Sequence, residues 1–391
     1  MLAQVSTALP SERVALTGLL DRVLAEDIIA PLDVPAYDNS AMDGYALRHA
    51  DAQLEQPLTI VGTVLAGQAW SESLPANSAV RIMTGAPIPA ECDCVIMQEQ
   101  TRVEGEQLWL TAMPKRHDHI RPQGDDIAQG QVLLTRGQRL NAMHIGVLAS
   151  LGIGDVPVYR RLRVALFSSG DELRLPGQSL PEHCIYDSNR FALMAMLQRL
   201  AVDVLDLGLI ADDLDALRAA FVRAQHEADV LISSAGVSVG DADHTKTVLA
   251  EFGEIGFWKV AMKPGKPFAF GRLAQGWFFG LPGNPVSAVV TMDQLVQPVL
   301  RALAGEQPSA VSAWPMTTDC TIKKRPGRAD FQRARYAVEQ GELVVRPLAN
   351  QSSGVLTSLI EGNAYIRLAA EQDNVAAGSV VDVVPFSSLL T

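Results

Sequence analysis

The sequence is poor in cysteine, has no excess of positive charge and contains no long apolar run. Its four cysteines in 391 residues, Cys92, Cys94, Cys184 and Cys320, are too sparse for a disulfide framework. Cys92 and Cys94 do not form a C-x-x-C pair, which argues against a zinc site. No apolar stretch reaches the ~18–20 residues of a membrane span. The nearest, around Val286–Leu303, is interrupted by Asp293 and Gln294. The N-terminal MLAQVSTALPSERVAL lacks a basic segment followed by a long apolar one, so no signal peptide is expected. Lysine and arginine number 32 against 44 acidic residues, a net charge of −12. Such a chain is not expected to track nucleic acid or an anionic membrane through its overall charge, although a local basic cluster can still hold an anionic substrate. Neither a repeat of about 20–50 residues nor a low-complexity tract is visible. Ser168, Ser169 and Ser233 have no His and Asp close by in sequence, so a nucleophilic serine is not indicated. Together these absences point to a soluble protein of a reducing cytoplasm.

What is present is an ordinary globular balance, 48% apolar and 19% charged, long enough for two to four domains. Apolar spacing at Val14, Leu16, Leu19, Leu20 and Val23 predicts a helix over Ser11–Leu24. Short β-like runs between Leu58 and Leu110, punctuated by Gly, Pro and Asn, predict a mostly β region. A second helical patch, Ala142–Leu151, ends at Gly152. From Arg163 strands and helices alternate. LRVALFSS, DVLDLGLI and DVLISS read as buried strands, and Ser188–Leu200, Asp212–Ala228 and Thr245–Phe252 as helices. FWKVAM, PFAFGRL and GWFFGL are further β candidates before a helix from Pro285 to Leu303. Alternation of this kind implies a largely parallel, doubly wound sheet with ligands beyond the carboxyl ends of its strands. After GEQPSA the pattern returns to short β runs (CTIKK, FQRARYAV, ELVVRPL, AYIRLA, SVVDVVPF), as in a small all-β domain.

The chemistry-bearing stretches sit at the strand–helix junctions. SSAGVSVGDADHTKT, residues 233–247, follows a strand and precedes a helix. Its Gly236 and Gly240 let backbone N–H groups approach an oxyanion, yet no G-K-[ST] closes it as a Walker loop. Asp241 and Asp243 beside such a cradle make sense if a divalent cation lies between them, or else they favour the helix dipole. Asp171 and Glu172 in SSGDEL, and Asp212 and Asp213 after DVLDLGLI, fall on the same expected rim. Each alone reads as a helix cap, but several carboxylates on one rim need a balancing cation, which points to Mg²⁺. MKPGKPFAF places Lys263 and Lys266 around a Pro-Gly turn with Lys259 upstream: oxoanion charge, or solvated lysines. LPGNPVSAVV opens a helix with Pro285 near its first turn: an anion-facing start or a plain strand–helix turn. In the N-terminal half, PAYDNSAMDGYAL, RIMTGAPIP and RPQGDDIAQG offer Asp43, Thr84 and Asp126 in turn-like settings. His117 and His119 read as solvated, and Trp70, Trp258, Trp277 and Trp314 as packing residues.

DNSAMDGYAL, RIMTGAPIP, GDDIAQG, HIGVLASLG, SSGDEL, YDSNR, SSAGVSVGDADHTK, MKPGKPFAFG and LPGNPVSA, in this order, resemble the MoeA-like molybdopterin molybdenumtransferase family of molybdenum cofactor synthesis. The resemblance implies an α/β and β multidomain chain with four regions. They are an elongated linker domain (1–27 and 131–159), a β-rich insertion (28–130), a doubly wound molybdopterin-binding domain (160–305) and a C-terminal β-barrel (306–391). It implies a homodimer whose cleft pairs the doubly wound domain of one chain with the insertion of the other, and contacts with other proteins of the same biosynthesis. The implied reaction inserts molybdenum from molybdate into adenylylated molybdopterin with Mg²⁺-dependent release of AMP. By resemblance Glu172, Asp212 and Asp243 are the acids of the doubly wound domain, with Glu172 and Asp243 on the metal, and Asp43 and Asp126 those of the insertion. Thr84, Ser234, Gly236, Ser238, Gly240, Lys259, Lys263, Lys266, Pro282, Pro285 and Ser352 with its neighbour Ser353 line the substrate site on the same implication. Two positions depart from the family pattern. RPQGDD stands for R-x-x-G-E-D, and Ala235 stands for a first glycine in the loop, where a methyl group narrows the loop or is harmless if φ is negative. A dimeric scaffold of the same fold without turnover is the alternative. A lone-domain adenylyltransferase is disfavoured by the long N-terminal half and the C-terminal β region.

Overall fold

The computed structural model describes residues 1–5, 9–236, 244–308 and 312–391. The segment expected as a helix over Ser11–Leu24 is instead a strand, Ser11–Ala15, a single 3₁₀ turn, Leu16–Gly18, and extended chain. The strand runs antiparallel to Asp155–Tyr159, from Ser11↔Tyr159 to Ala15↔Asp155. Asp21 takes φ 63°, which no right-handed helix can contain. The apolar spacing that mimicked a helix therefore comes from a turn and two bridges, Val23↔Arg139 and Leu24↔Val158. They bring Leu19 and Leu24 onto Leu148, Val156 and Val158 in one small core. The helix Ala142–Ser150 forms as expected, capped reciprocally by Asn141 and His144. Ile28–Ile29 pairs with Val132–Leu134 and so closes the base of the intervening β region.

That region holds a six-stranded sheet. Its order is Cys94–Met97, Gly44–Leu47, Ser78–Ile82, Leu58–Val64, Gln107–Leu110 and Thr101–Glu104. The insertion into the linker region follows from these pairings: the chain leaves through Ile28–Ile29 and returns through Val132–Leu134.

The second six-stranded sheet is built on Arg163–Ser169, whose residues are almost all buried. Its order is Asp203–Ile210, Arg163–Ser169, Val230–Ser234, Gly276–Leu281, Pro267–Leu273 and Gly253–Lys259. The first four strands are parallel; Pro267–Leu273 runs against them and Gly253–Lys259, antiparallel to it, runs with them again. Alternate side chains of the central strand feed two cores. Val164 and Leu166 pack with Leu193, Leu197, Ala288 and Met292 beneath the helices Asn189–Arg199 and Pro285–Thr291. Ala165 and Phe167 pack with Leu217, Phe221 and Val248 beneath Leu214–Glu227 and His244–Phe252. Each such large side chain removed from water contributes roughly 1.5–3 kcal/mol, and both faces are covered, which is why the strand sequence shows no polar alternation. The helix expected over Pro285–Leu303 is present with a π turn, Met292–Val296, in its middle.

The C-terminal region is a closed five-stranded barrel. Trp314–Thr318, Ala329–Glu339, Glu342–Pro347, Ala364–Leu368 and Val380–Pro385 pair in a ring that the contact of Ala329–Glu339 with Ala364–Leu368 completes. CTIKK, expected as a strand, is reduced to the bridge Ile322↔Val375. Met262–Lys263 adds in parallel to Ala329–Asp330 and ties the barrel to the α/β region.

Candidate active site

The chain passes from Arg163–Ser169 outward to Asp203–Ile210 and then back across to Val230–Ser234. The strand order therefore reverses beside Arg163–Ser169, and the carboxyl ends there flank the crevice in which open α/β sheets bind ligands. A cleft of ≈ 460 Å³ opens at this place, lined by Glu172, residues 185–189, Ser234, Ala235, Gly236, Pro267 and the Pro282–Pro285 loop. Of the residues singled out by sequence, Glu172, Ser234, Gly236, Pro282 and Pro285 meet there.

The backbone at the crevice is tightly specified. Gly236 has φ 72°, and a Cβ added to it would fall 2.5 Å from Thr245 Oγ1 and 3.1 Å from Ser169 Oγ, so glycine is required on both counts. Ala235 has φ 73°, which settles the question its methyl group raised: the residue is strained. Its N–H donates to Leu281 O at 3.1 Å. Asn189 Nδ2 donates to Gly283 O at 2.8 Å and fixes the opposite loop. Below them Ser168 Oγ donates to Asp187 Oδ1 at 3.1 Å, and the buried Asp187 pairs with Arg190 at 2.9 Å. None of Asp187, Asn189 and Arg190 was a candidate from sequence. YDSNR was noted only as part of the resemblance, and its signal was a cluster of polar residues at the start of an otherwise apolar helix.

The acids behave differently from one another. Glu172 is exposed, forms no ion pair or side-chain hydrogen bond among the described residues, and lies over Gly170, where an added Cβ would be 2.6 Å from Glu172 Oε2. Asp213 is the N-cap of Leu214–Glu227, accepting from Asp215 N at 3.0 Å and Ala216 N at 2.9 Å, whereas the adjacent Asp212 is exposed and makes no such bond. Ser238, Gly240 and Asp243 lie outside the described residues. Ser233 Oγ and Thr245 Oγ1, on either side of that segment, are buried without a hydrogen-bond partner. Among the described residues no three His, Cys, Asp or Glu side chains gather as a ready metal cage. Burial pushes the thiols of Cys92 and Cys94 up to about 12.

The lysines are divided. Lys259 and Lys266 are exposed at the two ends of a turn closed by Val260 N donating to Lys266 O at 3.1 Å. Lys263 points to the barrel side, with Nζ 3.3 Å from Asp330 Oδ2, and lines a second, basic cleft rather than the crevice. The NQSSG loop returns to the crevice rim, since Val286 N donates to Ser353 O at 3.0 Å. The buried Arg333 holds that loop through Ser352 O at 3.1 Å, and its guanidinium pKa is lowered by burial. Arg333 was missed from sequence because FQRARYAV reads as an ordinary half-exposed strand.

Of the N-terminal candidates, Asp43 and Thr84 are bonded to each other. Asp43 Oδ1 accepts from Thr84 N at 2.8 Å and from Thr84 Oγ1 at 2.9 Å, and these bonds, the backbone one foremost, hold its carboxyl below the usual range. The loops around them interlock, with Gly85 N donating to Ser40 O at 2.8 Å and Asn39–Ser40 paired with Ile120–Arg121. Asp126 is exposed beyond that pairing, its N–H on Val34 O at 3.0 Å. Within one chain none of Asp43, Thr84 and Asp126 lines the crevice.

Residues 1–152 match the family described as MoeA N-terminal region (domain I and II). Residues 165–302 match the probable molybdopterin binding domain, and residues 316–386 the MoeA C-terminal region (domain IV). The chain is 45% identical over 396 residues to the molybdopterin molybdenumtransferase of Haemophilus influenzae, covering 100% of this chain and 97% of that one. It is 37% identical over 395 residues to the enzyme of the same name from Synechococcus elongatus, covering 98% and 96%. A molybdopterin biosynthesis moeA protein from Pyrococcus horikoshii OT3 superposes with a TM-score of 0.84 at 27% identity, over 98% of this chain and 97% of that one. The chain thus belongs to the MoeA family of molybdopterin molybdenumtransferases, transferases of molybdenum cofactor biosynthesis.

Proposed function

We propose that the protein inserts molybdenum from molybdate into adenylylated molybdopterin, with Mg²⁺-dependent release of AMP. The observation that carries this reading is the convergence, in one crevice at the point where the strand order reverses, of a free carboxylate, the buried Ser234 and the loop bounded by Pro282 and Pro285. Residues 1–27 with 131–159, 28–130, 160–305 and 306–391 act as the four domains in this reading.

The donor chemistry fits Mg²⁺, a hard cation that keeps several waters and takes one or two carboxylates together with substrate phosphate oxygens. Glu172 supplies one uncommitted carboxylate and Asp243 is the second. When bound, the cation neutralises phosphate charge and favours attack at phosphorus. The chain's own residues do the rest. Backbone N–H groups around Ser234 and Gly236, with Ser238 and Gly240, receive the phosphate. Pro282 and Pro285 shape the wall beside the pterin. Lys259, Lys266 and Ser352 present the oxoanion, whereas Lys263, expected beside them from the sequence, is turned to Asp330 of the barrel and is left out of this role. Asp212 completes the acidic rim. Water attacks the adenylyl phosphorus, the P–O–P bridge breaks and AMP leaves while molybdopterin keeps its own phosphate; molybdate then binds through the two dithiolene sulfurs as one of its oxygens departs as water with the two thiol protons.

Asp43, Thr84 and Asp126 face the crevice of a second copy in a homodimer. The hydrogen bonds of Thr84 to Asp43 and the separation of all three residues from the crevice of their own chain support this arrangement. The setting is the cytoplasm, with handover to other proteins of the same biosynthesis. The test is turnover: purified protein, adenylylated molybdopterin and Mg²⁺ release AMP on addition of molybdate. Tight binding with no molybdate-dependent AMP would sink the reading and favour a scaffold.

A further inference from the structure

The barrel carries positive charge that the proposed reaction does not use. Lys323, Lys324, Arg325 and Arg328 fall within six residues of a chain whose net charge is −12. With Lys263 they line a cleft of ≈ 770 Å³, in which five cations meet two carboxylates, Asp330 and Asp373. Asp330 is buried and already committed, 3.3 Å from Lys263 Nζ and accepting from Gln332 Nε2 at 3.2 Å. Asp373 Oδ1 accepts from the adjacent Asn374 N at 2.7 Å. Lys323, Arg325 and Arg328 are exposed and make no ion pair or side-chain hydrogen bond among the described residues. An acidic protein thus leaves three cations of one short loop without a counter-charge.

The walls of the cleft are tied together from beneath. Lys324 is 3% exposed, and its ammonium donates to Arg325 O at 3.0 Å, Gln372 O at 3.1 Å and Ala370 O at 3.4 Å. Its N–H donates to Asn374 Oδ1 at 2.9 Å, and Gly327 N donates to Ala370 O at 2.7 Å. Residues 323–328 are therefore stapled to 370–374, and the exposed basic side chains start from a fixed backbone. The three ammonium protons of Lys324 are spent on carbonyls, so its charge adds to the field of the cleft while it offers no donor to a ligand. The remaining donors come from separate positions of the loop rather than from one point. Such a wall suits several carboxylates carried along a chain better than one small oxoanion. Nucleic acid is disfavoured, since no aromatic side chain lines the cleft for a base to stack on and the chain as a whole is anionic. We propose that this cleft docks an acidic segment of a partner polypeptide, with its carboxylates on Lys323, Arg325 and Arg328. Lys263 of the cleft and Pro267 of the crevice belong to one short stretch of chain, so the docked partner lies beside the crevice.

The full chain is titrated into a fluorescein-labelled peptide of glutamates, read by anisotropy at about 50 and about 300 mM salt. Saturable binding is expected at the lower salt, weakened by about tenfold or more at the higher. The triple variant Lys323→Glu, Arg325→Glu, Arg328→Glu should weaken binding by at least about tenfold. Its melting temperature and its molybdate-dependent AMP release should not change, because these side chains hold no part of the fold and lie outside the crevice. A second triple variant, Arg102→Glu, Arg116→Glu, Arg223→Glu, reverses exposed arginines of other regions and should bind the peptide as wild type does. Equal loss in both variants, or no binding to wild type, overturns the proposal. Displacement of the peptide by millimolar phosphate or molybdate at constant ionic strength also overturns it, since the cleft is then a small-oxoanion site. So does tighter binding of a single-stranded oligonucleotide of equal charge. Loss of AMP release in the first variant overturns it as well and assigns the cleft to the reaction itself.

Discussion

The crevice of the α/β region and the acidic corner of the N-terminal sheet hold carboxylates in opposite ways. Glu172 stands exposed with no ion pair or side-chain hydrogen bond among the described residues, on a rim it shares with Asp212. Asp43 is already satisfied twice by Thr84. A carboxylate left free on a rim of like charge is disposed to take up a cation, whereas one fixed by a backbone N–H and a hydroxyl is disposed to present its charge at a set position. One carboxylate is thus open to a cation, and the other already has its position fixed.

Removing the free charge should have the largest effect. Glu172→Gln is expected to lower molybdate-dependent AMP release about a hundredfold or more, with unchanged melting temperature because no fold contact is lost. A loss that excess Mg²⁺ does not soften, accompanied by a lower melting temperature, would recast Glu172 as structural. Mixing comes next. If the corner acts in the crevice of the other copy, inactive Glu172→Gln and Asp43→Asn chains mixed equally form hybrid dimers in about half of cases, each with one intact site. About a quarter of wild-type activity then returns. No gain over either variant alone would place both acids in one chain's cleft and undo the comparison.

A smaller effect concerns pH. The carboxyl of Asp43 is depressed by Thr84, the backbone N–H first and the hydroxyl second. A depressed carboxylate keeps its charge above the ordinary carboxylate pKa and loses it only as pH falls through its own lower value. Thr84→Val removes the hydroxyl and spares the N–H. Its acid limb of turnover should therefore move to higher pH, partway toward that of an unassisted aspartate. A profile that superimposes on wild type would detach Asp43 from the chemistry.

How much of this was legible in the sequence follows from how local each cause is. LRVALFSS announced a strand buried on both faces, and the helices after it were evident from spacing because each packs one apolar stripe on that sheet. Ser11–Leu24 misled because a turn plus two bridges reproduces helical spacing over five residues, and only the φ of Asp21 separates the cases. The meeting of Asp43 with Thr84 spans 41 residues and depends on the register of Gly44–Leu47 against Ser78–Ile82, which no local pattern encodes. Lys263 could be assigned a charge from sequence but not a neighbour. Its partner, Asp330, belongs to the barrel and comes into reach only through the parallel pairing of Met262–Lys263 with Ala329–Asp330. Ala235 could be noticed as unusual, but its strain could not be read, because φ is a property of the turn and not of the residue.

Two adjacent residues at the end of Asp203–Ile210 divide in the same way. Asp213 spends its carboxylate on the N–H groups of Asp215 and Ala216, and Asp212 does not. Asp213→Ala removes a helix cap worth ~1 kcal/mol, which for a unit of this size lowers melting temperature by roughly 2–4 °C. Turnover per folded molecule should not change. Asp212→Asn should do the reverse, leaving melting temperature alone and slowing AMP release by about tenfold. Thermal melts and single-turnover assays on the two proteins decide it. If both lose activity alike, the rim acts as one electrostatic field in which the capped and free acids are equivalent. If only Asp212→Asn does, the fold has committed one of two neighbouring carboxylates to its helix and left the other to the substrate.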